Sequence, residues 1–242
     1  MSGHSKWSTI KRKKEKTDSQ KAKMFTKIGR EISVAVREGG ADPASNGKLR
    51  DLIAKAKANN VPNDNIDRVI KKVGDSDKDS YEEIMYEAYG PSGVAVIVEC
   101  LTDNRNRTAG DLRHYFDKHG GNLGQTGSVA FLFERKGILV IENDGLDEEK
   151  VMEDCLECGA IDFDIGDEVV EIFTDPFTVG ATREAMAEKG YIFASAEPEY
   201  VPSTYVALDE TNTIRMEKLM DMLDNNDDVL NVWHNWEENV EG

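Results

Sequence analysis

Gly93-Val94-Ala95-Val96-Ile97-Val98-Glu99-Cys100-Leu101-Thr102 is the stretch on which the fold turns. It is a short apolar run rich in β-branched residues, led in by the turn chemistry of Tyr89-Gly90-Pro91-Ser92, and it reads as a strand. Residues 107–119 follow with Leu112, Tyr115 and Phe116 at helical spacing, and residues 129–133 are apolar again. Strand, helix, strand is half of an α/β unit.

Further along, the pattern repeats in full. Strands are expected at 138–141, 161–165, 169–173 and 191–196, with helices at 148–158 and 179–189. That order, β-α-β-β-α-β, is the split-βαβ or ferredoxin-like arrangement. The tail supplies a second half: a strand at 204–208, a helix at 213–223 and a strand at 229–233. Joining the halves gives a discontinuous ferredoxin-like domain, 81–135 plus 204–242, with a ferredoxin-like domain, 136–203, inserted between them.

Upstream the periodicity is helical. Met24, Phe25, Ile28, Ile32, Ala35 and Val36 share one helix face, which ends at Gly39-Gly40. Asn46 is placed to cap a second helix with Leu49, Leu52, Ile53 and Ala56 inward. Pro62 and Asn63 open a third, with Ile66, Val69, Ile70 and Val73 facing in and Gly74 ending it. Residues 1–77 are thus a basic arm and a small helical domain, and the polar residues 75–80 are a linker. The fold class is α+β, multi-domain.

Charge is segregated along the chain. Residues 1–74 hold 18 Lys/Arg against 8 Asp/Glu, net +10, whereas residues 75–242 hold 12 against 39, net −27. Ten of the cations fall before residue 31: Lys6, Lys11, Arg12, Lys13, Lys14, Lys16, Lys21, Lys23, Lys27 and Arg30, with Trp7 among them. Ammonium and guanidinium groups displace the counterions of a phosphate backbone, and an indole can stack on a base. A lysine-rich solubility tail would look similar by composition. Segregation favours a binding surface, because screening over about 8 Å keeps the acidic part from cancelling the arm's field.

Other motifs carry less. The glycines of 120–128 lack the lysine of a P-loop and run from helix to strand, the reverse of the required order, so they form a tight connection. Arg105 and Arg107, between strand and helix, could offer guanidiniums beside helix N-terminal amides to a phosphate; capping by Asn104 or Asn106 and pairing with nearby acids is the structural alternative. Cys155 and Cys158 have the spacing of a redox or metal pair but no second pair or neighbouring histidine, and Cys100 stands apart. His4, His114, His119 and His234 are dispersed. No catalytic constellation, metal site or cofactor motif emerges, so the chain is not expected to be an enzyme. With no run of about 20 apolar residues and no signal-peptide pattern, it is expected in the cytosol.

Gly3-His4-Ser5-Lys6-Trp7 followed by Ile10-Lys11-Arg12-Lys13, Arg30-Glu31-Ile32 and Gly39-Gly40, and Tyr89-Gly90-Pro91-Ser92-Gly93-Val94-Ala95 resemble the YebC/PmpR family. So do Leu101-Thr102-Asp103-Asn104 with Asn106-Arg107-Thr108, and Gly120-Gly121-Asn122-Leu123 with Gly127-Ser128-Val129. The resemblance spans essentially the whole chain. It implies a cytoplasmic protein of one helical and two α/β domains. The family is described as DNA-binding transcriptional regulators; its mitochondrial relatives are translational activators of cytochrome c oxidase, and some bacterial members look like ribosome-associated factors that assist synthesis through proline runs. Position by position, it draws attention to His4, Ser5, Lys6 and Trp7.

Two functions follow as expectations. The first is a DNA-binding regulator of transcription that grips phosphate with Lys6, Trp7, Lys11, Arg12, Lys13, Lys14, Lys21, Lys23, Lys27 and Arg30, with His4, Ser5, Arg105 and Arg107 as secondary candidates. Asn65, Arg68, Lys71 and Lys72 on the third helix are a thin base-reading set. The alternative is a translation factor on ribosomal RNA, which would also give the acidic two thirds a role against basic ribosomal proteins. Neither reading involves a membrane or a small-molecule substrate.

Overall fold

The computed structural model describes residues 18–73 and 81–237. They form two compact units, one of residues 134–201 and one of residues up to 133 together with 202–237.

The larger unit begins with helices α1 (Asp18–Gly39), α2 (Gly47–Ala58) and α3 (Asn63–Lys72). Their apolar faces are those the spacing marked out: Ile28, Ile32, Ala35 and Val36 of α1 pack with Leu49, Leu52 and Ala56 of α2 and Ile66 of α3. Gly40, at φ +85, ends the first turn-out without a Cβ penalty. Asn46 caps α2: its side-chain oxygen accepts from Leu49 N at 3.0 Å while its amide donates to the Ala35 and Gly40 carbonyls at 2.8 Å each. One buried side chain thus fixes both the end of α1 and the start of α2.

In the same unit a four-stranded sheet has the order β3-β1-β2-β8, every pairing antiparallel. Its strands are β1 (Glu82–Tyr89), β2 (Ala95–Thr102), β3 (Asn122–Leu123) and β8 (Val229–His234), and its helices α4 (Arg105–Lys118) and α7 (Glu210–Asn225). Because β2 and β3 both run against β1, the β2-α4-β3 connection is a split βαβ with β1 between its strands. Val94, Val96, Val98 and Cys100 pack under Leu112 and Phe116 of α4 and Met216, Leu219 and Leu223 of α7. The approach of β3 to β1 needs Gly121, where a Cβ would collide with the Tyr89 carbonyl.

The smaller unit contains β4 (Phe133–Glu142), α5 (Glu148–Glu157), β5 (Asp162–Ile165), β6 (Val169–Thr174), α6 (Val179–Glu188) and β7 (Phe193–Pro202). Sheet order β5-β6-β4-β7 with this element order is the ferredoxin-like topology. Its helix-covered core is Leu139, Ile141, Val151, Cys155, Val170, Ile172, Val179 and Met186.

The α+β class expected from the sequence is the one observed, with three local corrections. Neither β1 nor the short β3, which lies within the glycine-rich connection, is expected from the sequence. The apolar run 129–133 is a 3-10 turn over Ala130–Leu132 that leads into β4 rather than a strand of its own. Residues 204–208 make a single parallel bridge, Val206 to Trp236, in place of a strand. Residues 75–80, read as a linker, lie outside the described residues.

Candidate nucleic-acid interface

The described part of the cationic region is α1, whose polar side carries Lys21, Lys23, Lys27 and Arg30. Three of these four meet the C-terminal end of α7 and the turn that follows it. Lys23 Nζ donates to the Asn225 carbonyl and side-chain oxygen, both at 3.2 Å, and Lys27 Nζ to the Asp224 carbonyl at 3.0 Å. Arg30 Nη1 donates to the Asp227 carbonyl at 2.9 Å and to Asp228 Oδ1 at 3.3 Å. The last carbonyls of a helix lack intrahelical donors and stand at the negative end of its dipole, so cations are the natural partners there. The Arg30 guanidinium also lies 5.4 Å from the Tyr81 ring centroid. Lys48 of α2 adds a second tie, reaching Glu83 of β1 at 2.7 Å.

Asp228 is the centre of this joint. While Oδ1 faces Arg30, Oδ2 accepts from Arg107 Nη2 at 2.7 Å, Thr108 Oγ1 at 2.8 Å and Thr102 Oγ1 at 3.1 Å. Burial alone would raise its carboxyl, but the Arg107 guanidinium and the two hydroxyls outweigh it and hold the group below the ordinary aspartate value. Two guanidiniums separated widely in sequence therefore converge on one carboxylate.

Arg107 is further tied to Asp103 at 2.7 Å. Its own amide donates to Asn104 Oδ1, the N-cap of α4, and Thr108 N donates to the Asn104 carbonyl. At this helix start, capping and local acid pairing engage the groups that the sequence offered as a phosphate cradle. The Arg105 side chain is exposed.

Of the remaining candidates, Lys21 is exposed on the first turns of α1. His4, Ser5, Lys6, Trp7, Lys11, Arg12, Lys13 and Lys14 lie outside the described residues. On α3, Arg68, Lys71 and Lys72 are exposed, and Arg68 donates to Asn65 Oδ1 at 2.8 Å, so these two would have to part for either to read a base edge. Residues 18–73 together hold 12 Lys/Arg against 7 Asp/Glu, which keeps the helical part cationic beyond the joint.

A second carboxylate organises the glycine-rich connection. Glu87 of β1 accepts from the backbone amides of Gly127 at 2.6 Å and of Val129 and Ala130 at 2.7 Å each. Burial alone would raise its carboxyl, and the three amides together bring it below the ordinary glutamate value. The amides that a phosphate cradle would need are filled by the protein's own acid.

Among the described residues, no three His, Cys, Asp or Glu are grouped to hold a metal ion, and no helix is long and apolar enough to cross a membrane. Burial pushes the thiols of Cys100 and Cys155 up to about 12 and about 11, values unsuited to nucleophilic or ligand roles.

Sequence reasoning did not single out Asp228 or Glu87. Each is one acid among 47, and only the tertiary fold brings it to its donors.

Comparison with known proteins bears on the whole chain. Residues 5–76 match the TACO1/YebC protein N-terminal domain, and residues 81–236 the TACO1/YebC second and third domain. A protein from Finegoldia magna named "Probable transcriptional regulatory protein" is 58% identical over 239 residues, covering 98% of this chain and 99% of that one. A protein of the same name from Ruminiclostridium cellulolyticum is 57% identical over 244 residues, covering 100% of this chain and 98% of that one. The crystal structure of a conserved hypothetical protein from Aquifex aeolicus superposes with a TM-score of 0.82 at 42% identity, over 94% of this chain and 95% of that one. With both its helical segment and its paired α/β segments matched over nearly their full extent, the chain belongs to the TACO1/YebC family.

Proposed function

We propose that this protein is a nucleic-acid-binding regulator of gene expression that grips the phosphate backbone of DNA through its basic N-terminal arm and the outer turns of α1. The observation that carries the reading is the division of labour along α1. Its inner cations, Lys23, Lys27 and Arg30, fasten it to the end of α7 and to Asp228, which leaves the cations earlier in the sequence as the ones to meet phosphate. The candidates Lys6, Trp7, Lys11, Arg12, Lys13, Lys14 and Lys21 then form the phosphate-facing set. The names of the relatives from Finegoldia magna and Ruminiclostridium cellulolyticum support a regulator.

The chemistry is positioning by charge. If six to eight arm cations contact B-DNA phosphates, log K falls against log salt with a slope of about −5 to −7. If the Trp7 ring stacks on a base, Trp7→Ala weakens binding by about 1–3 kcal/mol.

The acidic bulk of the chain, net −27 over residues 75–242, supports a second reading. A duplex offers that surface nothing, whereas a ribosome presents both phosphate and basic protein, so the alternative is a ribosome-associated translation factor. One paired experiment separates them: duplex titration by fluorescence anisotropy, and sedimentation of lysate through sucrose at low and moderate salt. A defined operator bound far more tightly than random duplex supports transcription. Co-migration with ribosomes and only nonspecific duplex affinity supports translation. If replacing Lys11, Arg12, Lys13 and Lys14 together by Glu changes neither measurement, both readings fail.

A further inference from the structure

The smaller unit exposes large apolar side chains on the segments that meet where α5 and β6 end. Leu156 of α5 is 61% exposed, Ile161 in the turn after it 71%, and Phe177 in the turn after β6 86%. Met152, one helical turn before Leu156, is exposed as well. Backbone bonds join the segments that carry them. Ala160 N donates to the Cys155 carbonyl, folding the chain from the end of α5 to Ile161, and Ile161 N donates to the Phe173 carbonyl at 2.8 Å, beside the strand end that continues to Phe177. Arg135, at the start of β4, lies 5.8 Å from the Phe177 ring centroid.

Single exposed apolar side chains are ordinary, but a group of them marks a contact surface. The charge around this one selects what it contacts. Residues 134–201 hold 19 Asp/Glu against 5 Lys/Arg, net −14, and Glu153, Glu157, Asp162 and Asp175 flank the apolar group in sequence. Nucleic acid is repelled by such a surface, and the same end of a second copy would bring the same acids to it. A partner with both cations and apolar anchors satisfies it, and the Phe177 face already takes a guanidinium, that of Arg135.

We propose that this end of the smaller unit docks a lysine- and arginine-rich protein segment that inserts aliphatic side chains between the acids. Its residues are distinct from the cations assigned to phosphate, so on the function proposed above the chain would hold phosphate with one set of side chains and basic protein with another.

The test uses the full chain and a labelled amphipathic peptide with lysines on one face and leucines on the other, followed by fluorescence anisotropy. Wild type binds this peptide at least tenfold more tightly than a control with the leucines replaced by serine. The paired substitution Ile161→Ser and Phe177→Ser removes that preference, with the circular dichroism spectrum unchanged and the nucleic-acid titration unaffected. Equal binding of both peptides, or full binding by the double variant, overturns the proposal, since attraction would then be to charge alone. Two other occupants are outcomes that also overturn it. If the variant with Lys11, Arg12, Lys13 and Lys14 changed to Glu binds the peptide at least tenfold more tightly than wild type, the chain's own arm is the occupant. If sedimentation equilibrium shows a dimer that the double variant abolishes, a second copy is.

Discussion

Arg30 in the first helix donates to Asp228 at 3.3 Å across 198 positions of sequence. The pair is partly buried, with side-chain exposures of 23% and 8%, so it holds its geometry better than a pair in open solvent. It sits where α1 crosses the end of α7, and through Asp228 it is joined to Arg107, Thr102 and Thr108. A helix that begins in a cationic arm is thereby anchored in a sheet domain whose strand β8 starts at the next residue.

Removing that carboxylate loosens the anchor. Asp228→Asn keeps a similar shape but withdraws the charge from two guanidiniums, and we expect a loss of about 1–3 kcal/mol in urea unfolding at neutral pH. The sign with pH follows from the lowered carboxyl. Its contribution is full above the unfolded value of about 3.9 and is lost as pH falls through the folded value. The difference between wild type and variant therefore shrinks as unfolding is repeated toward pH 3; a constant difference would mean that the charge is not what stabilises.

Stability and affinity should separate along the cationic segment. Lys23→Ala with Lys27→Ala removes donors from the α7 carbonyls and costs about 0.3–1 kcal/mol per residue, read as a fall in melting temperature. On the proposed function, Glu at Lys11, Arg12, Lys13 and Lys14 abolishes duplex or ribosome association and leaves the melting temperature nearly unchanged, because none of the four has the spacing of an apolar helix face that packs a core. Should the arm substitutions lower the melting temperature as much as the helix substitutions do, the distinction between mount and ligand surface is wrong.

Glu87 holds the 124–130 connection through three amides. Glu87→Gln replaces a charged double acceptor with one oxygen and an amide that has no acceptor among those groups, so it costs about 1–3 kcal/mol. Native-state hydrogen exchange is the direct readout: the amides of Gly127, Val129 and Ala130 lose protection while those of β2 keep theirs. Since the folded carboxyl is lowered, the wild-type advantage is full above the unfolded value of about 4.3 and is lost as pH falls through the folded value.

These carboxylates also explain which parts of the structure the sequence displayed. The helical faces and the strands of the smaller unit follow their own periodicity, and Asn46 announces itself as a cap by position. Strand β1 does not, because Glu82 and Glu83 open it on the exposed side and Glu87 occupies a buried position that an alternating pattern would give to an apolar residue. The amides that make Glu87 acceptable there lie about 40 residues away. The opposite error occurs at 129–133, where an apolar run turns because Glu87 pulls its first amides inward. Of the candidate site, the cations were legible as charge; that Lys23, Lys27 and Arg30 serve as fasteners depended on α7, nearly 200 residues downstream.

The smaller unit has its own polar fastening, and disturbing it should leave the larger one untouched. Asp154 of α5 accepts from Lys189 Nζ at 2.6 Å and from the Tyr191 hydroxyl at 2.8 Å, tying the end of α6 and the approach to β7 to α5. The Lys189 and Tyr191 hydrogen bonds hold the Asp154 carboxyl below the ordinary aspartate value against the opposing effect of burial. Asp154→Asn is therefore expected to destabilise this unit by about 1–3 kcal/mol above pH 4, with the deficit closing as acid protonates the wild-type group. Hydrogen exchange should show protection lost across α5, α6 and β7. Trp233 and Trp236 both belong to the larger unit, so with Trp7 replaced by Phe the tryptophan emission should not change in native buffer. A shift in that emission would show that the charge on Asp154 supports more of the molecule than the unit that contains it.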